Sequence, residues 1–211
     1  MNGAGDIHRP ESKSQDRPIG TAAQLLVEGR TSEMFFREFV AWMKLGDRIE
    51  VRTFGDVSKA TLKRYLEAFS TKAAFKEHVT RLAIIRDAEQ QPASEAYASV
   101  RGVIQDVLKV EPGRMGAFGF GHLSVGIYIL PDCSRSGMLE SLCLEAWADE
   151  EPVAGCTRDF GSCLGVGESF KTTKQRLAAH LVARNVVDPQ LGRAAQQGVI
   201  PWDHSTFAPL T

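Results

Sequence analysis

Four segments of the chain have the pattern of strands in one sheet. The runs at 22–28 and 82–87 are almost continuously apolar, as expected of parallel strands that are buried on both faces. The run at 123–130 predicts another central strand. Residues 48–54 alternate between polar and apolar side chains, which is typical of a strand nearer the sheet edge. The sheet is therefore predicted to be mostly parallel.

Amphipathic segments separate these strands. A first helix, capped by Thr31 or Ser32 and ended by Gly46-Asp47, is predicted because its apolar residues recur every three or four positions. Further helices are predicted after Ser58, at 72–79, from Pro92 onward, at 137–147 with Ser136 as cap, and at 172–184 and 189–197. This β-α-β-α-β-α order predicts an α/β fold with right-handed crossovers.

The composition along the chain divides it into three parts. Residues 1–20 are polar, with almost nothing to bury, and are predicted to be a disordered tail. Residues 21–148 form the predicted α/β core, and 149–211 form a mainly helical carboxyl-terminal extension packed on that core. Within the extension, 150–168 is expected to be irregular.

The segment 111–121 is rich in glycine, with Gly113, Gly116, Gly119 and Gly121. Such a stretch can cradle a phosphate group, but its spacing fits neither a P-loop nor a dinucleotide-binding fingerprint, and no convincing strand precedes it. A bulged hairpin is the favoured interpretation, and a nucleotide loop is the alternative.

Charge and composition limit the function classes. The chain has 211 residues and a net charge of −1, whereas a protein that simply coats nucleic acid is usually more basic. No apolar run approaches the roughly 20 residues that span a bilayer, and the amino terminus lacks a secretory signal. The four cysteines form no CxxC pair and are predicted to be reduced thiols. These features predict a cytoplasmic protein without a membrane partner.

Acidic residues follow two of the predicted strands. Glu28 comes after the first strand and precedes Gly29, and Asp87 and Glu89 come after the 82–87 strand. Parallel strands end at one edge of a sheet, so these carboxylates are expected to converge there. In an extended segment residues i and i+2 point the same way, so Asp87 and Glu89 would face one ligand. Three converging carboxylates repel each other, and a divalent cation such as Mg²⁺ is the natural compensation.

Further charged residues have both structural and functional interpretations. Glu33 is either a helix-dipole carboxylate or a metal ligand. Asp132 is either a turn residue or a third acid at a strand end, and Glu140 either closes a capping box or binds metal. Lys171 and Lys174 precede a late helix, where a phosphate-neutralising role requires them to fold back over the acids.

With these residues assembled, the chain resembles the Toprim domain of topoisomerases, primases and OLD-family nucleases. The shared signature is the glutamate of Val27-Glu28-Gly29 and the acidic pair of Asp87-Ala88-Glu89. Toprim domains usually show Asp-x-Asp, so Glu89 is a departure. OLD-like nucleases carry a second acid four residues after the glutamate, where this chain has Ser32, with Glu33 one position later.

The chain is also similar, over roughly 22–211, to a family of small stand-alone bacterial proteins with a Toprim-like core. That similarity rests on Leu130-Pro131-Asp132, on Gly137-Met138-Leu139-Glu140 and on Gly192-Arg193-Ala194-Ala195. The resemblance implies a Toprim-like, Rossmann-like sheet flanked by helices, with a helical extension.

The resemblance also implies a Mg²⁺- or Mn²⁺-dependent nuclease. The first ion would be held by Glu28, Asp87 and Glu89, and the second by Asp132, Glu140 and Glu33. In this reading Glu28 and Lys171 are the catalytic residues, with Lys171 neutralising charge on the phosphate.

Three functions remain open at this stage. A nuclease would act on DNA or RNA with a separate ATPase as partner, by analogy with OLD proteins. The alternatives are an inactive Toprim-fold interaction module and a Mg²⁺-dependent phosphatase acting on small phosphorylated substrates. The near-neutral charge favours the alternatives, whereas Asp132 and Glu140 favour one of the two enzymes.

Overall fold

A computed structural model describes residues 17–55, 59–163 and 172–210. Its four strands are β1 (Ala23–Val27), β2 (Ile49–Thr53), β3 (Arg81–Asp87) and β4 (Ser124–Leu130). They form one sheet in the order β2-β1-β3-β4, and all three pairings are parallel. Leu25 is in register with Val51 and Ala83, and Ala83 is in register with Gly126. The predicted α/β class and parallel sheet are confirmed.

Helices cover both faces of this sheet. They are α1 (Gly29–Trp42), α2 (Lys59–Ser70), α3 (Ala73–His78), α4 (Ala93–Leu108), α5 (Leu139–Ala146), α6 (Val153–Cys163), α7 (Thr173–Ala183), α8 (Leu191–Gln196) and a 3₁₀ helix at Ser205–Leu210. The arrangement is Rossmann-like. In the described part of the chain, no helix is long and apolar enough to cross a membrane.

The direction of the crossovers decides which face each helix covers. The connection from β1 to β2 runs one way across the sheet, and the connections to β3 and β4 run the other way. Right-handed crossovers therefore place α1 on one face and α2–α4 on the other. One apolar core lies between the sheet, α1, α5, α7, α8 and the 3₁₀ helix, and a second lies beneath α2, α3 and α4.

Several predicted helix boundaries are wrong. The helix α1 begins at Gly29 with Glu28 at its N-cap, so neither Thr31 nor Ser32 caps it. The helix α5 begins at Leu139 rather than after Ser136. The predicted cap at Ser58 lies outside the described residues.

The expected irregular segment 150–168 contains α6, with 164–168 outside the described residues. Its sequence has two glycines and little helix propensity. The carboxylate of Glu151 accepts a hydrogen bond of 2.9 Å from the Gly155 N–H in the first turn. Packing against α7 supplies the remaining stabilisation that propensity does not.

Residues 17–20, expected in the tail, are tied to the sheet by a buried arginine. Arg52 on β2 is fully buried. Its guanidinium donates to Gln24 Oε1 at 2.9 Å, to the Arg17 carbonyl at 2.9 Å and to the Pro18 carbonyl at 2.6 Å, and it forms a salt bridge with Glu50. These partners satisfy a cation that would otherwise be costly to bury. Residues 1–16 lie outside the described part of the chain.

The glycine-rich segment 111–121 packs along β4, which is an edge strand of the sheet. The N–H groups of Gly113 and Gly119 both donate to the Val125 carbonyl at 2.9 Å, and that of Gly116 donates to the Ile127 carbonyl at 2.8 Å. An isolated antiparallel bridge is present, but no pair of strands, so the hairpin prediction is wrong. The segment covers backbone groups that an edge strand leaves unpaired.

The carboxyl-terminal segment packs on α1 through close aromatic and small-residue contacts. Trp202 lies 4.8 Å from Phe35 and 5.4 Å from Phe39 between ring centroids. The helix α8 approaches α1 so closely that a Cβ at Gly192 would lie 2.7 Å from Met34 Cβ. The four cysteines are unpaired, as predicted.

A buried histidine joins α7 to the end of α5. The ring of His180 stacks on Trp147 at 4.8 Å, and its Nε2 accepts a hydrogen bond of 2.8 Å from Arg184 Nε. The Arg184 guanidinium lies over the same indole and pairs with Glu150. An imidazole that accepts from arginine must be neutral, and burial lowers the pKa of His180.

We expect Gly113→Ala to lower the free energy of unfolding by roughly 2 kcal/mol, since overpacking a tight site displaces backbone. A Cβ at Gly113 would lie 2.3 Å from the Ala117 carbonyl oxygen. The matched control is Gly102→Ala in α4, where nothing lies within 4 Å of the added Cβ. That change should stabilise the protein by about 0.5 kcal/mol through helix propensity. Denaturant titrations measure both, and equal effects would contradict the packing argument.

We expect acid to weaken the attachment of α7. The folded state disfavours protonated His180, so it binds fewer protons than the unfolded chain and stability falls as pH drops below about 6.5. Between about pH 7.5 and 5, wild type should lose roughly 1 kcal/mol more than His180→Gln does. Thermal melts at both pH values measure this, with exposed His78→Gln as control. An unchanged pH dependence in His180→Gln would refute it.

Candidate active site

The site lies where the sheet reverses its strand order. β1 and β3 are neighbours, and the chain leaves β1 toward β2 on one side and leaves β3 toward β4 on the other. The helices that follow, α1 and α4, pack on opposite faces of the sheet. Ligands of open α/β sheets bind at such switch points. Glu28 directly follows β1, and Asp87 is the last residue of β3.

Glu28 is positioned by a tight turn between β1 and α1. Gly29 adopts a φ of +73°, a conformation that favours glycine, and its N–H donates to the Gly55 carbonyl at 3.0 Å. The helix therefore starts at the sheet edge without a linker. The Glu28 side chain is only 10% exposed, and its Oε2 lies 3.8 Å from Arg86 Nε.

Asp87 is the electrostatic centre of the site. Its Oδ1 accepts a hydrogen bond of 2.9 Å from the Leu139 N–H in the first turn of α5. Burial, followed by the negative charges of Glu140 and Glu28, raises the pKa of Asp87 to about 7, against the opposing effects of Leu139 N–H and Lys174. The charges of Glu28 and Glu140 both act on Asp87, although Glu140 was assigned to a second ion with Asp132 and Glu33 in the prediction from sequence.

Lys174 is the cation of this cluster on the α7 side. It lies in the first turn of α7, which Thr172 caps by accepting a hydrogen bond of 3.2 Å from the Gln175 N–H. Its charge lowers the pKa of Asp87, which places Lys174 within electrostatic range of that carboxyl group. Lys171, which was predicted to be a catalytic residue, lies outside the described residues.

Glu89 does not continue the strand. β3 ends at Asp87, and Glu89 adopts a left-handed φ of +56° while its N–H donates to the Gly137 carbonyl at 2.7 Å. The expectation that Asp87 and Glu89 share one side of an extended segment is therefore wrong, because the chain turns between them. The Glu89 side chain is exposed.

Asp132 closes the loop after β4. Its Oδ1 accepts from the N–H and hydroxyl of Ser134 and from the Arg135 N–H, and its Oδ2 binds Arg135 Nε. Burial alone would raise the pKa of Asp132, but these hydrogen bonds together hold it well below its usual range. Arg135 also binds Glu145. Of the two interpretations, the turn residue fits this geometry.

Glu33 is engaged in a separate ion-pair network. Its buried Oε1 accepts from Arg17 Nη2 at 2.7 Å and from Arg37 Nη2 at 2.5 Å. Glu140 is the second residue of α5 and does not close the capping box predicted for it. Ser141 has that role, because its hydroxyl accepts a hydrogen bond of 3.3 Å from the Met138 N–H. Asp132 and Glu33 are thus committed elsewhere, which does not fit the second ion position.

Among the described residues, the acids near Asp87 do not enclose a metal ion on their own. Across the described residues, no group of three or more His, Cys, Asp or Glu side chains lies close enough to enclose a metal ion. Mg²⁺ keeps several waters and commonly binds through one or two carboxylates together with substrate phosphates. Asp87 and its acidic neighbours supply hard oxygen donors with mutual repulsion that such an ion would relieve.

Arg86 is the site residue that sequence reasoning missed. It lies one residue before Asp87 and beside Glu28. The available signal was a basic residue directly after the apolar run 82–85 and directly before Asp87. A charged residue at such a position must find a partner or a solvent route at the strand end.

Fold and site together define an α/β protein with an acidic cluster at the switch point of a parallel sheet. The chain belongs to the family described as "Protein of unknown function (DUF3226)", whose model matches residues 22–211. Comparison with curated proteins and with solved structures gives no match.

We expect Asp87→Asn to stabilise the metal-free protein at alkaline pH. The pKa of Asp87 is raised on folding, so its ionisation disfavours the folded state and stability falls as pH rises from about 4 through 7. Asparagine can still accept from Leu139 N–H and should gain roughly 2 kcal/mol over wild type near pH 8. Thermal melts with a chelator near pH 8 and pH 5 measure this. A gain of the same size at both pH values, or none, would contradict it.

Proposed function

We propose that this protein is a Mg²⁺- or Mn²⁺-dependent phosphodiester hydrolase of the Toprim type that acts on DNA or RNA. The observation that carries the proposal is the cluster of Glu28, Asp87 and Glu140 at the switch point, with Lys174 beside it. The positions of Glu28 after β1 and Asp87 at the end of β3 support the Toprim resemblance. A cytoplasmic location and a separate ATPase partner belong to the same proposal.

The acidic residues are assigned to one ion. Asp87 and Glu140, or Asp87 and Glu28, would hold it through carboxylate oxygens, with water and phosphate oxygens completing its coordination. The ion would polarise the phosphate and lower the pKa of bound water. Glu89, Asp132 and Glu33 are left out of this assignment because the geometry gives them other environments.

The remaining side chains supply charge and proton transfer. Lys174 lies close enough to influence Asp87 and is suited to neutralise the negative charge that develops on a phosphate oxygen. Glu28, little exposed and beside Arg86, is the candidate to accept a proton from the attacking water. Asp87 holds its orientation through the Leu139 N–H.

A phosphatase acting on small phosphorylated substrates is the second candidate. The observation that favours it is the net charge of −1, since long nucleic acids bind most strongly to basic surfaces. Both candidates use the same acids, and the size of the substrate distinguishes them.

We expect the wild type to cleave plasmid, single-stranded DNA or RNA in Mg²⁺ or Mn²⁺. Glu28→Gln, Asp87→Asn and Glu140→Gln should each reduce the rate by about a hundredfold or more, because each removes a charge from the reacting centre. Gel assays of labelled substrates measure cleavage, and p-nitrophenyl phosphate tests the phosphatase alternative in parallel.

Two matched carboxylate-to-amide variants sharpen this test. Glu89→Gln should retain activity if the structure assigns the site correctly, whereas the ligand set predicted from sequence requires a loss. Glu77→Gln on α3, with a side chain 67% exposed, controls for charge removal in general. Cleavage that survives Asp87→Asn would overturn the site. Absence of cleavage of every substrate, together with no heat of Mg²⁺ binding in calorimetry, would favour the interaction module.

A further inference from the structure

Arg86 has most of its hydrogen-bonding capacity unused within the part of the chain that the structure describes. Its Nη1 makes one long hydrogen bond of 3.4 Å to Ser99 Oγ on α4. Its Nε lies 3.8 Å from Glu28 Oε2, beyond hydrogen-bonding range. A guanidinium carries five N–H donors. Most of the donors are therefore available to a ligand at this end of the sheet.

Arg52, an arginine with a structural role, has many more hydrogen-bond partners than Arg86. Arg52 is fully buried and donates to a side-chain amide and to two backbone carbonyls, besides pairing with Glu50. Arg86 keeps 17% of its side chain exposed and has no bond shorter than 3.4 Å to a described residue. Partial burial removes water from the Arg86 guanidinium, and the described residues do not replace that water with hydrogen bonds as they do for Arg52.

Arg86 lies where a phosphate group near the acidic residues would need a positive charge. Glu28, Asp87 and Glu140 together repel an anion, so a phosphate group requires cations beside them. Lys174 comes from α7 on one face of the sheet, while Arg86 contacts α4 on the other face. The two cations therefore approach the acidic cluster from opposite sides.

We propose that Arg86 binds a backbone phosphate of the nucleic-acid substrate through its guanidinium fork, on the α4 side of Glu28 and Asp87. The planar fork matches two phosphate oxygens, which lysine cannot do. The nucleic-acid class rests on the proposed function, but the phosphate contact itself does not depend on hydrolysis. Arg86 is a substrate-binding residue in this assignment, and its neighbour Glu28 retains the chemical role.

Binding without turnover tests this assignment. Fluorescence anisotropy of short labelled single-stranded DNA and RNA is measured in Ca²⁺ for wild type, Arg86→Gln and Arg86→Lys. Arg86→Gln should weaken binding by about tenfold, and Arg86→Lys should lie between it and wild type. The slope of log affinity against log salt should become shallower by about 0.7 in Arg86→Gln, the value for one lost phosphate contact on a single strand. The control is Arg81→Gln at the exposed opposite end of the same strand, which should change neither quantity.

The outcomes separate this inference from the proposed function. Unchanged affinity and salt slope in Arg86→Gln, equal losses in Arg81→Gln, or no binding by wild type would each overturn the phosphate contact. If Arg86→Gln alone loses affinity while the wild type hydrolyses no substrate in Mg²⁺, the phosphate contact is supported and the hydrolase proposal is rejected. If circular dichroism shows that Arg86→Gln is unfolded, the charge-conserving Arg86→Lys decides, and wild-type affinity in that variant would overturn the fork.

Discussion

The hydrogen bond from the Leu139 N–H to Asp87 Oδ1 connects the two elements that carry Asp87 and Glu140. It joins the last residue of β3 to the first turn of α5, and so connects the sheet to the helices that follow it. The acceptor is a carboxylate whose ionisation is opposed by burial and by Glu140 and Glu28. The bond and the charge of Lys174 partly offset that cost. The same residue is thus a structural link and the carboxyl group on which the neighbouring charges act.

Charges elsewhere in the fold are buried only with partners. Arg52 ties residues 17 and 18 to the sheet, Glu33 accepts from two arginines, and Asp132 is enclosed by the hydrogen bonds of its own turn. This difference between charges with several partners and charges with few distinguishes the candidate site better than the number of acidic residues does. At the switch point the charges of Glu28 and Glu140 oppose the ionisation of Asp87, and Arg86 has few partners among the described residues. Strongly perturbed carboxylates of this kind are found more often at functional sites than elsewhere in proteins.

The position of α7 shows how distant packing serves the site. His180 stacks on Trp147 at the end of α5, and Arg184 binds both the imidazole and Glu150. This contact fixes α7 relative to α5 and thereby sets where Lys174 lies. The carboxyl-terminal extension thus contributes one charge, that of Lys174, to the surroundings of Asp87.

Sequence alone was sufficient for the parallel α/β sheet and for the meeting of Glu28 with Asp87. Continuous apolar runs mark strands buried on both faces, and parallel strands must end at the same edge. Glu140 was predicted at a second ion position with Asp132 and Glu33, and the structure instead brings its charge to bear on Asp87. Sequence could not exclude Glu89, Asp132 or Glu33, since each is an acid in a plausible place. Only the tertiary structure decided among them, because a left-handed turn redirects Glu89 and distant or local arginines occupy the other two. The tertiary structure also identified the two cations near these acids. Lys174 comes from a helix far along the chain, and Arg86 stands out because it has few hydrogen-bond partners in the described fold. Periodicity records which residues are buried, whereas the charge balance of a site depends on contacts between segments that are far apart in sequence.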